Sequence, residues 1–309
     1  MTRYLFRRLI EAIGVLLGIS VITFVMVLVI PGDPARMYAG PRAPEETVER
    51  IREQWGLNDP IPVQYVRYLV RAVQGDLGRS LRDNREVLPA VLDRLPATLQ
   101  LAVAGVIVEL LLGIPLGILA ATRPGSWADT LATTGALVGI SIPPFVLGLA
   151  LLYFLGYLVP IFPLGGYGSP AHLVLPAITL GLSGGAWYAR LLRNTLLDEL
   201  GNDYVRTARS KGVRERGVLF RHALRNALLP VVTLAGLDLA YLLGGVVLIE
   251  AVFGWPGMGQ QAYRAIREQN LPMVMGTVLF AAVCVVFINL ALDLSYVALD
   301  PRIRLRDEK

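Results

Sequence analysis

The chain has 309 residues, of which 54% are hydrophobic and only 17% are charged, whereas about a quarter of the residues in soluble domains are charged. Several apolar stretches are long enough to cross a membrane, which takes roughly 20 residues, and a soluble protein would show shorter ones. The net charge of +5 does not indicate a nucleic-acid partner, because the basic residues gather at the ends of the apolar stretches. The composition predicts an all-α integral membrane protein.

Six apolar stretches are predicted to be transmembrane helices. They cover about residues 9–30, 97–121, 130–159, 173–190, 227–250 and 272–298. The first stretch could also be a cleaved signal peptide, but it is too long, and the following segment PGDPARMYAG lacks a clear small-x-small cleavage site. We therefore interpret it as a retained span.

The basic residues predict which ends of the spans face the cytoplasm. Three arginines precede the first span, nine Arg or Lys lie between Arg190 and Arg225, and four follow Pro301, whereas residues 160–172 have none. Short cytoplasmic loops carry an excess of Arg and Lys, so both termini and the 190–226 loop are predicted to be cytoplasmic. The region 31–96 has ten Arg and ten Asp or Glu and is too long for this rule.

Four regions follow from this topology. They are a first transmembrane helix with a cytoplasmic N-terminus (1–30), an extracytoplasmic helical insertion (31–96), a five-helix transmembrane core with a cytoplasmic loop at 191–226 (97–298), and a cytoplasmic tail (299–309).

The insertion is predicted to contain two amphipathic helices and a turn. The segments PEETVERIREQWG and IPVQYVRYLVRAVQG each place apolar residues on one helical face and end at a glycine. The residues on these faces are Val48, Ile51 and Trp55 in the first segment, and Tyr65, Leu69 and Val73 in the second. The glycine-rich turn GDLGRSL follows, so the insertion is predicted to form a small cap on the outer face of the membrane.

Four residues inside the predicted spans are unusual for a membrane helix. Glu109 and Asp238 are acidic, and a charge at the centre of a span costs about 2.5–3.5 kcal/mol on insertion scales. Each is either a functional residue or a group that bonds a neighbouring helix. Pro143 and Pro144 in SIPPF remove two backbone donors and are predicted to kink or break the third span, either as a gating element or as a static packing feature.

The chain shows no catalytic or cofactor-binding motif. Its two histidines, His172 and His222, fall on opposite sides of the membrane in the predicted topology, and no His, Cys and Asp cluster has metal-ligand spacing. It also lacks a Gly-x-Ser-x-Gly nucleophile elbow and a phosphate-binding loop of the Gly-x-x-x-x-Gly-Lys-Ser/Thr type. If this protein moves a substrate uphill, we expect the energy to come from a partner.

The segment DYVRTARSKG, residues 203–212, interrupts the apolar sequence with several charges. Asn202 or Asp203 can cap the start of a helix and Gly212 can end one, which leaves about two turns, roughly 12 Å long. One side is predicted to carry Tyr204, Val205 and Ala208, and the opposite side Arg206, Arg209 and Ser210. The segment is either a solvated loop or a docking surface.

This segment and the following VLFRHALRNALLPVVT resemble the cytoplasmic loop of permease subunits in the peptide/nickel family of ABC importers. The general importer motif is Glu-Ala-Ala, three residues, Gly, nine residues, then Ile-x-Leu-Pro. Ala208, Gly212 and Leu224 match it, whereas Arg206, Thr207, His222 and Arg225 stand in place of its Glu, Ala, Ile and Pro. The segments PGDPA, GDLGRSL, EAVFGWPGMG and LDPRIRL resemble the same branch.

The resemblance implies a type I ABC importer permease fold with six transmembrane helices in the cell membrane of a prokaryote. It also implies a homologous second permease, two cytoplasmic ATPase subunits that bind ATP and Mg²⁺, and an extracytoplasmic solute-binding protein. This chain is expected to bind no cofactor and no metal, and to be non-catalytic.

The resemblance also assigns roles to individual residues. Coupling to the ATPase is expected from Tyr204, Val205, Arg206, Thr207, Ala208, Arg209, Lys211 and Gly212. In this interpretation the basic residues pair with acidic ATPase residues, while Tyr204, Val205 and Ala208 fill a groove on it. Residues expected to face the binding protein are Asp76, Leu77, Gly78 and Arg79, and those expected at the translocation path or its gate are Pro143, Pro144 and Asp238.

Peptides are the expected substrate, and nickel and glutathione remain alternatives. Two further classes stay open, which are a secondary carrier or channel that works without an ATPase, and a membrane enzyme. An ATPase that purifies with the protein would separate the first from an importer, and the second would require a catalytic constellation.

Overall fold

A computed structural model describes residues 2–29, 33–244 and 246–299, and most of these residues are helical. The helices are α1 (Thr2–Val29), α2 (Pro34–Ala39), α3 (Glu45–Trp55), α4 (Ile61–Val73), α5 (Val87–Leu92), α6 (Leu95–Thr122), α7 (Trp127–Ser141), α8 (Pro144–Leu151), α9 (Pro170–Gly201), α10 (Asp203–Ser210), α11 (Glu215–Gly217), α12 (Leu224–Leu243), α13 (Val247–Val252), α14 (Met258–Arg267) and α15 (Leu271–Leu299). Two π-helical segments, Leu152–Leu158 and Val218–Ala223, continue α8 and α11. The predicted cytoplasmic tail covers 299–309, of which residues 300–309 lie outside the described residues.

The chain divides into two compact units. The first comprises Met1–Thr98, Leu243–Val247 and Pro256–Lys309, and the second comprises Leu99–Leu242 and Leu248–Trp255.

Four helical segments are long and apolar enough to cross a membrane. They are Phe6–Met26, Val87–Thr122, Glu215–Leu243 and Leu271–Asp293, and they correspond to the first, second, fifth and sixth predicted spans. The fourth predicted span, 173–190, lies inside α9, whose 32 residues extend over about 48 Å at 1.5 Å per residue. This helix is longer than the roughly 30 Å hydrocarbon core of a bilayer.

The third predicted span is divided, as the sequence SIPPF predicts. The helix α7 ends at Ser141 and α8 begins at Pro144, while Pro143 has an extended backbone with ψ 132°. Proline lacks an N–H group and its ring clashes with the preceding helical turn, so the two prolines end one helix and begin the next. The predicted helix break is confirmed.

The two amphipathic helices of the insertion are also confirmed, as α3 and α4. Val48 of α3 is fully buried, and α3 ends at Gly56 in the left-handed conformation, with φ 64°. Val73 differs from its prediction, because it lies in the last turn of α4 and is 87% exposed. The helices α2 and α5 were not predicted.

The first unit is held together around its long helices. The helix α1 packs against α15, and the hydroxyl groups of Ser20 and Tyr65 lie 2.8 Å apart, which links α1 to α4. Val87 and Val91 of α5 are fully buried in one apolar cluster with Met273 and Val274 of α15. The short helix α5 is therefore part of the core rather than a surface turn.

The second unit depends on a close approach between α6 and α9. A Cβ atom at Gly113 of α6 would lie 2.5 Å from Cβ of Tyr188 and 2.8 Å from the carbonyl oxygen of Gly185 in α9. In membranes, small residues let two helix backbones approach closely, so that van der Waals packing holds them together. A residue with a Cβ atom does not fit at position 113 unless α6 and α9 move apart.

We expect Gly113→Ala to destabilise the protein by about 1–3 kcal/mol, because the added methyl group overpacks a closed contact. The matched control is Gly14→Ala in α1, where nothing lies within 4 Å of the added Cβ. Alanine there should be neutral or stabilising by up to about 1 kcal/mol. Unfolding of the two variants in detergent measures the difference, and equal stabilities would contradict the packing described.

Candidate functional site

The helix α10 is attached directly to the end of α9. Asn202 is the single residue between the two helices, and its extended backbone (φ −71°, ψ 150°) turns the chain. Its carbonyl oxygen accepts hydrogen bonds from the backbone N–H groups of Val205 (3.1 Å) and Arg206 (3.3 Å). The Asn202 side chain does not cap α10 and donates instead to Glu199, at 3.1 Å. The turn between the helices is therefore short and fixed by backbone bonds.

The other end of α10 is a Schellman motif. The N–H of Gly212 bonds to the carbonyl oxygen of Arg209 (2.9 Å), and the N–H of Val213 bonds to that of Ala208 (3.2 Å). Gly212 has φ 77°, a left-handed conformation that glycine adopts without a Cβ penalty. The helix therefore ends at Gly212, as predicted from the sequence.

One side of α10 is buried within the protein. Val205 is fully buried and Ala208 is 7% exposed, and both belong to the same apolar cluster as Leu196 of α9, Val218 of the π-helical segment and Leu224 of α12. These two side chains are thus not available to fill a groove on a partner, which differs from the role expected for them. An apolar side of so short a helix can pack inward or outward, and here the end of α9 that leads into α10 supplies part of the inner surface.

Tyr204 lies at the edge of this packed side. Its hydroxyl group donates to Glu199 and accepts a hydrogen bond from Asn226 at 3.1 Å. Burial and the bond to Glu199 raise the pKa of the Tyr204 phenol, so the group remains a donor. Tyr204 links α10 to both α9 and α12.

The remaining residues form the α10 outer face, which is exposed. Arg206 contacts only Asp203 at 3.6 Å among the described ion pairs, and both side chains are highly exposed. Arg209 binds Glu215 through two nitrogen atoms, at 2.9 and 3.3 Å. The members of the α10 outer face are Arg206, Thr207, Arg209, Ser210 and Lys211. It presents three cationic side chains on a fixed helix.

Two contacts not predicted from sequence join α9 to its neighbours near α10. Arg193 of α9 forms a two-pronged ion pair with Asp129 at the start of α7, with Nη2 to Oδ2 at 2.9 Å. Thr195 donates to the carbonyl oxygen of Ala227 in α12 at 3.1 Å. No local sequence pattern fixes such pairings, since each joins residues more than 30 positions apart.

The residues expected to face the binding protein lie in the first unit, on a braced loop. Asp76 accepts a hydrogen bond from the N–H of Gly78 at 2.9 Å, and Arg79 pairs with Glu86 at 3.0 Å. Leu77 is 8% exposed and belongs to the α5–α15 core cluster. The side chains of Asp76 and Arg79 are exposed, so these two residues and Gly78 form the accessible part of the loop.

Asn270, just before α15, holds this loop in place. It donates to the Ser80 hydroxyl group at 2.8 Å and accepts from the N–H of Leu81 at 3.1 Å. Ser80 is almost completely buried. A buried polar network of this kind gives a loop one defined conformation.

The two acidic residues of the predicted spans meet in the second unit. Asp238 accepts a hydrogen bond from the Tyr188 hydroxyl group at 3.0 Å and lies close enough to Glu109 for the two carboxyl groups to interact. Glu109 is 3% exposed, and its Oε2 has no hydrogen-bond partner among the described residues. A Cβ atom at Gly184 would lie 2.3 Å from Oε1 of Glu109. The glycine makes room for the carboxyl group.

Sequence comparison identifies the family. Residues 113–305 match the family described as "Binding-protein-dependent transport system inner membrane component", and residues 1–102 match the N-terminal part of such membrane components. The chain is 40% identical to a protein named as a peptide permease in Brucella ovis, over 98% of this chain and 99% of that protein. It is 39% identical to the glutathione transport system permease protein GsiC of Salmonella paratyphi A and of Escherichia coli K12, with the same coverage.

A comparison with solved structures supports the fold. A chain of the MetNI methionine ABC transporter in an inward-facing conformation aligns with a TM-score of 0.57 at 23% identity, covering 69% of this chain and 98% of that one. The fold is therefore that of an ABC importer permease. The chain belongs to the family of inner membrane components of binding-protein-dependent transport systems, and it is a permease subunit of an ABC importer. Such a permease works with a solute-binding protein and an ATPase.

We expect Gly212→Ala to loosen the C-terminal end of α10, because a left-handed conformation costs a residue with a Cβ about 1–2 kcal/mol. Trypsin should then cleave within 206–216 about tenfold faster. The matched control is Gly201→Ala, where the added Cβ meets nothing within 4 Å and φ is not positive. Cleavage at the same rate in both variants would show that α10 does not depend on the Schellman motif.

We expect Glu109→Gln to fold at least as stably as the natural protein, because the amide removes a buried ionisable group and supplies an N–H donor to Asp238. Asp238→Leu should lose about 1–3 kcal/mol, because it leaves the Tyr188 hydroxyl group without its acceptor. Unfolding in detergent compares the two variants. A loss in Glu109→Gln as large as that in Asp238→Leu would contradict a structural pairing.

Proposed function

We propose that the α10 outer face is the surface through which this permease couples to a cytoplasmic ATPase. The observation that carries the proposal is a cationic helix surface fixed at both ends and packed on its inner side. The basic side chains would pair with acidic residues of the ATPase, and Tyr204 would contact the rim of the docking site. Val205 and Ala208 contribute by anchoring α10 from within.

Force applied to α10 would reach the membrane through α9. One residue separates the two helices, and α9 continues from the cytoplasmic loop through the predicted fourth span. Thr195 and Arg193 link this helix to α12 and α7. When the ATPases close on ATP, α10 would move as a rigid body and bias the path between inward and outward access, since each state makes different contacts.

The complete transporter in this proposal has two homologous permeases, each forming half of the path, and two ATPase subunits. ATP and Mg²⁺ are bound by the ATPases, where hydrolysis occurs, and this chain is non-catalytic. Both termini and the 191–226 loop are cytoplasmic, and 31–96 is extracytoplasmic. The arginine and lysine distribution supports this orientation.

The solute-binding protein would dock on the outer cap. Asp76 and Arg79 are exposed and Gly78 is partly exposed on a loop held by Asn270, which suits a preformed surface. Within the membrane, the break at Pro143 and Pro144 and the polar group at Asp238 are proposed to lie at the path or its gate. Non-helical backbone at membrane depth is tolerated where it is buried in protein or lines a water-filled cavity.

We expect Thr207→Trp to abolish ATP-driven transport and the co-purification of the ATPase, because the indole enlarges the α10 outer face where a partner must approach. The fold should be unaffected, since Thr207 is exposed and bonds only the carbonyl oxygen of Asp203. A tryptophan at Ala208 would be a poor probe because it would disrupt the core.

The matched control for this experiment is Thr130→Trp in α7. Thr130 is also exposed and bonds a backbone carbonyl oxygen in the same way, that of Ser126 at 3.2 Å. Normal transport by Thr207→Trp, with membrane levels like those of the control, would rule out docking at the α10 outer face. Transport that needs no ATP would favour a secondary carrier or channel.

We propose peptides as the substrate class, with glutathione and nickel as alternatives. Relatives named as peptide and glutathione permeases, at 40% and 39% identity, support this choice. The test is uptake by vesicles that contain the complete transporter and its binding protein. Labelled dipeptides should accumulate with ATP and compete with one another, whereas accumulation of glutathione or nickel alone would replace the peptide assignment.

A further inference from the structure

A cavity of about 560 Å³ lies inside the first unit, where the membrane helices meet the cap. Its apolar part is formed by Phe24 and Leu28 near the end of α1, and by Met275 in the first turns of α15. Polar lining residues come from α4 and from the loop that begins at Asp76. The cavity therefore combines apolar residues of the membrane helices with polar residues of the insertion.

Two hydrogen-bond donors that line the cavity have no side-chain partner in the described part of the chain. Tyr68 and Arg71 both line it, lie one helical turn apart on α4, and make no side-chain hydrogen bond or ion pair with any described residue. Burial raises the pKa of the Tyr68 phenol to about 12, so its hydroxyl group is a donor at neutral pH. A guanidinium group adds five N–H donors and suits a phosphate group.

The charge of the cavity is positive. Arg67 and Arg79 also line it, together with the single acidic residue Asp76. Arg67 is paired with Asp59 and Arg79 with Glu86, two acids that are not part of the lining. Asp76 is bonded to the backbone of its own loop. Of the three arginines that line the cavity, Arg71 is the one without an acidic partner among the described residues, and its side chain is exposed.

Aromatic side chains cover the walls between the two ends. Phe24 stacks on Tyr68 with ring centroids 6.2 Å apart, and Tyr38 packs against Trp55 at 5.0 Å. Trp and Tyr are enriched at the membrane surface, where one part of the ring is apolar and the other meets polar groups. A lining that combines apolar, aromatic and cationic side chains matches a molecule with an acyl chain and an anionic head.

We propose that this cavity binds an anionic phospholipid, with the phosphate at Arg71 and Tyr68 and an acyl chain along Phe24, Leu28 and Met275. The phosphate accepts hydrogen bonds from both unpartnered donors. The lipid fills a space between α1, α4 and α15, and so joins the cap to the membrane helices. The proposal is independent of the transported substrate and of the ATPase surface.

The test uses the full-length protein in detergent, titrated with phosphatidylglycerol that carries brominated acyl chains. Bromine quenches tryptophan at short range, and Trp55 lines the cavity, so Trp55→Phe gives the baseline from the other tryptophans. We expect saturable quenching, at least fivefold weaker affinity in Arg71→Gln, and a smaller loss in Tyr68→Phe, which keeps the aromatic stack. Brominated phosphatidylcholine should bind more weakly.

The matched control is Arg50→Gln. Arg50 lies in the same insertion, on α3, and is exposed like Arg71, but it pairs with Glu46 at 3.2 Å and does not line the cavity. Its variant should bind like the natural protein. Equal affinity in Arg71→Gln, or equal quenching by the two lipids, would overturn the proposal. Competition by inorganic phosphate or by a dipeptide at the concentration of the lipid would also overturn it, in favour of a small anion.

Discussion

The burial of Val205 and Ala208 determines what α10 can do. A two-turn helix is not stable by itself in water, so its conformation depends on the surface against which it packs. That surface consists of Leu196, Val218 and Leu224 from three different elements of the second unit. Because the apolar side is held there, the cationic side must face outward. The position of the charges therefore follows from the packing of the apolar residues.

Local signals in the sequence predicted much of the fold. Pro143 and Pro144 end and begin helices because proline limits the backbone wherever it occurs, and Gly212 takes a left-handed conformation that few other residues adopt. The apolar periodicity of α3 and α4 also reads correctly over most of its length. Each of these features is decided within a few residues of the chain, so no tertiary information was needed.

Other features depended on contacts that a single sequence does not contain. The predicted fourth span ends at residue 190, where arginines begin, but α9 continues to Gly201 because Leu192 and Leu196 remain buried beyond the charges. Val205 and Ala208 point into the protein rather than, as predicted for them, toward a partner, because the same end of α9 offers an apolar surface. The pair of Arg193 and Asp129 joins positions 64 apart, and both residues look like ordinary charges at the ends of spans. Thus the sequence predicts the helix α10, whereas it does not predict which side of α10 is buried.

The small residues of α9 have two effects in the second unit. Gly185 allows the backbone of α6 to approach, and Gly184 leaves space for the carboxyl group of Glu109 beside Asp238. From sequence, these glycines indicated helix packing alone. The structure adds that close packing and the buried polar pair occupy the same stretch of helix. A movement of α9 that opened this contact would also separate Glu109 and Asp238 from the groups that surround them, so the polar pair favours the packed arrangement over any looser one.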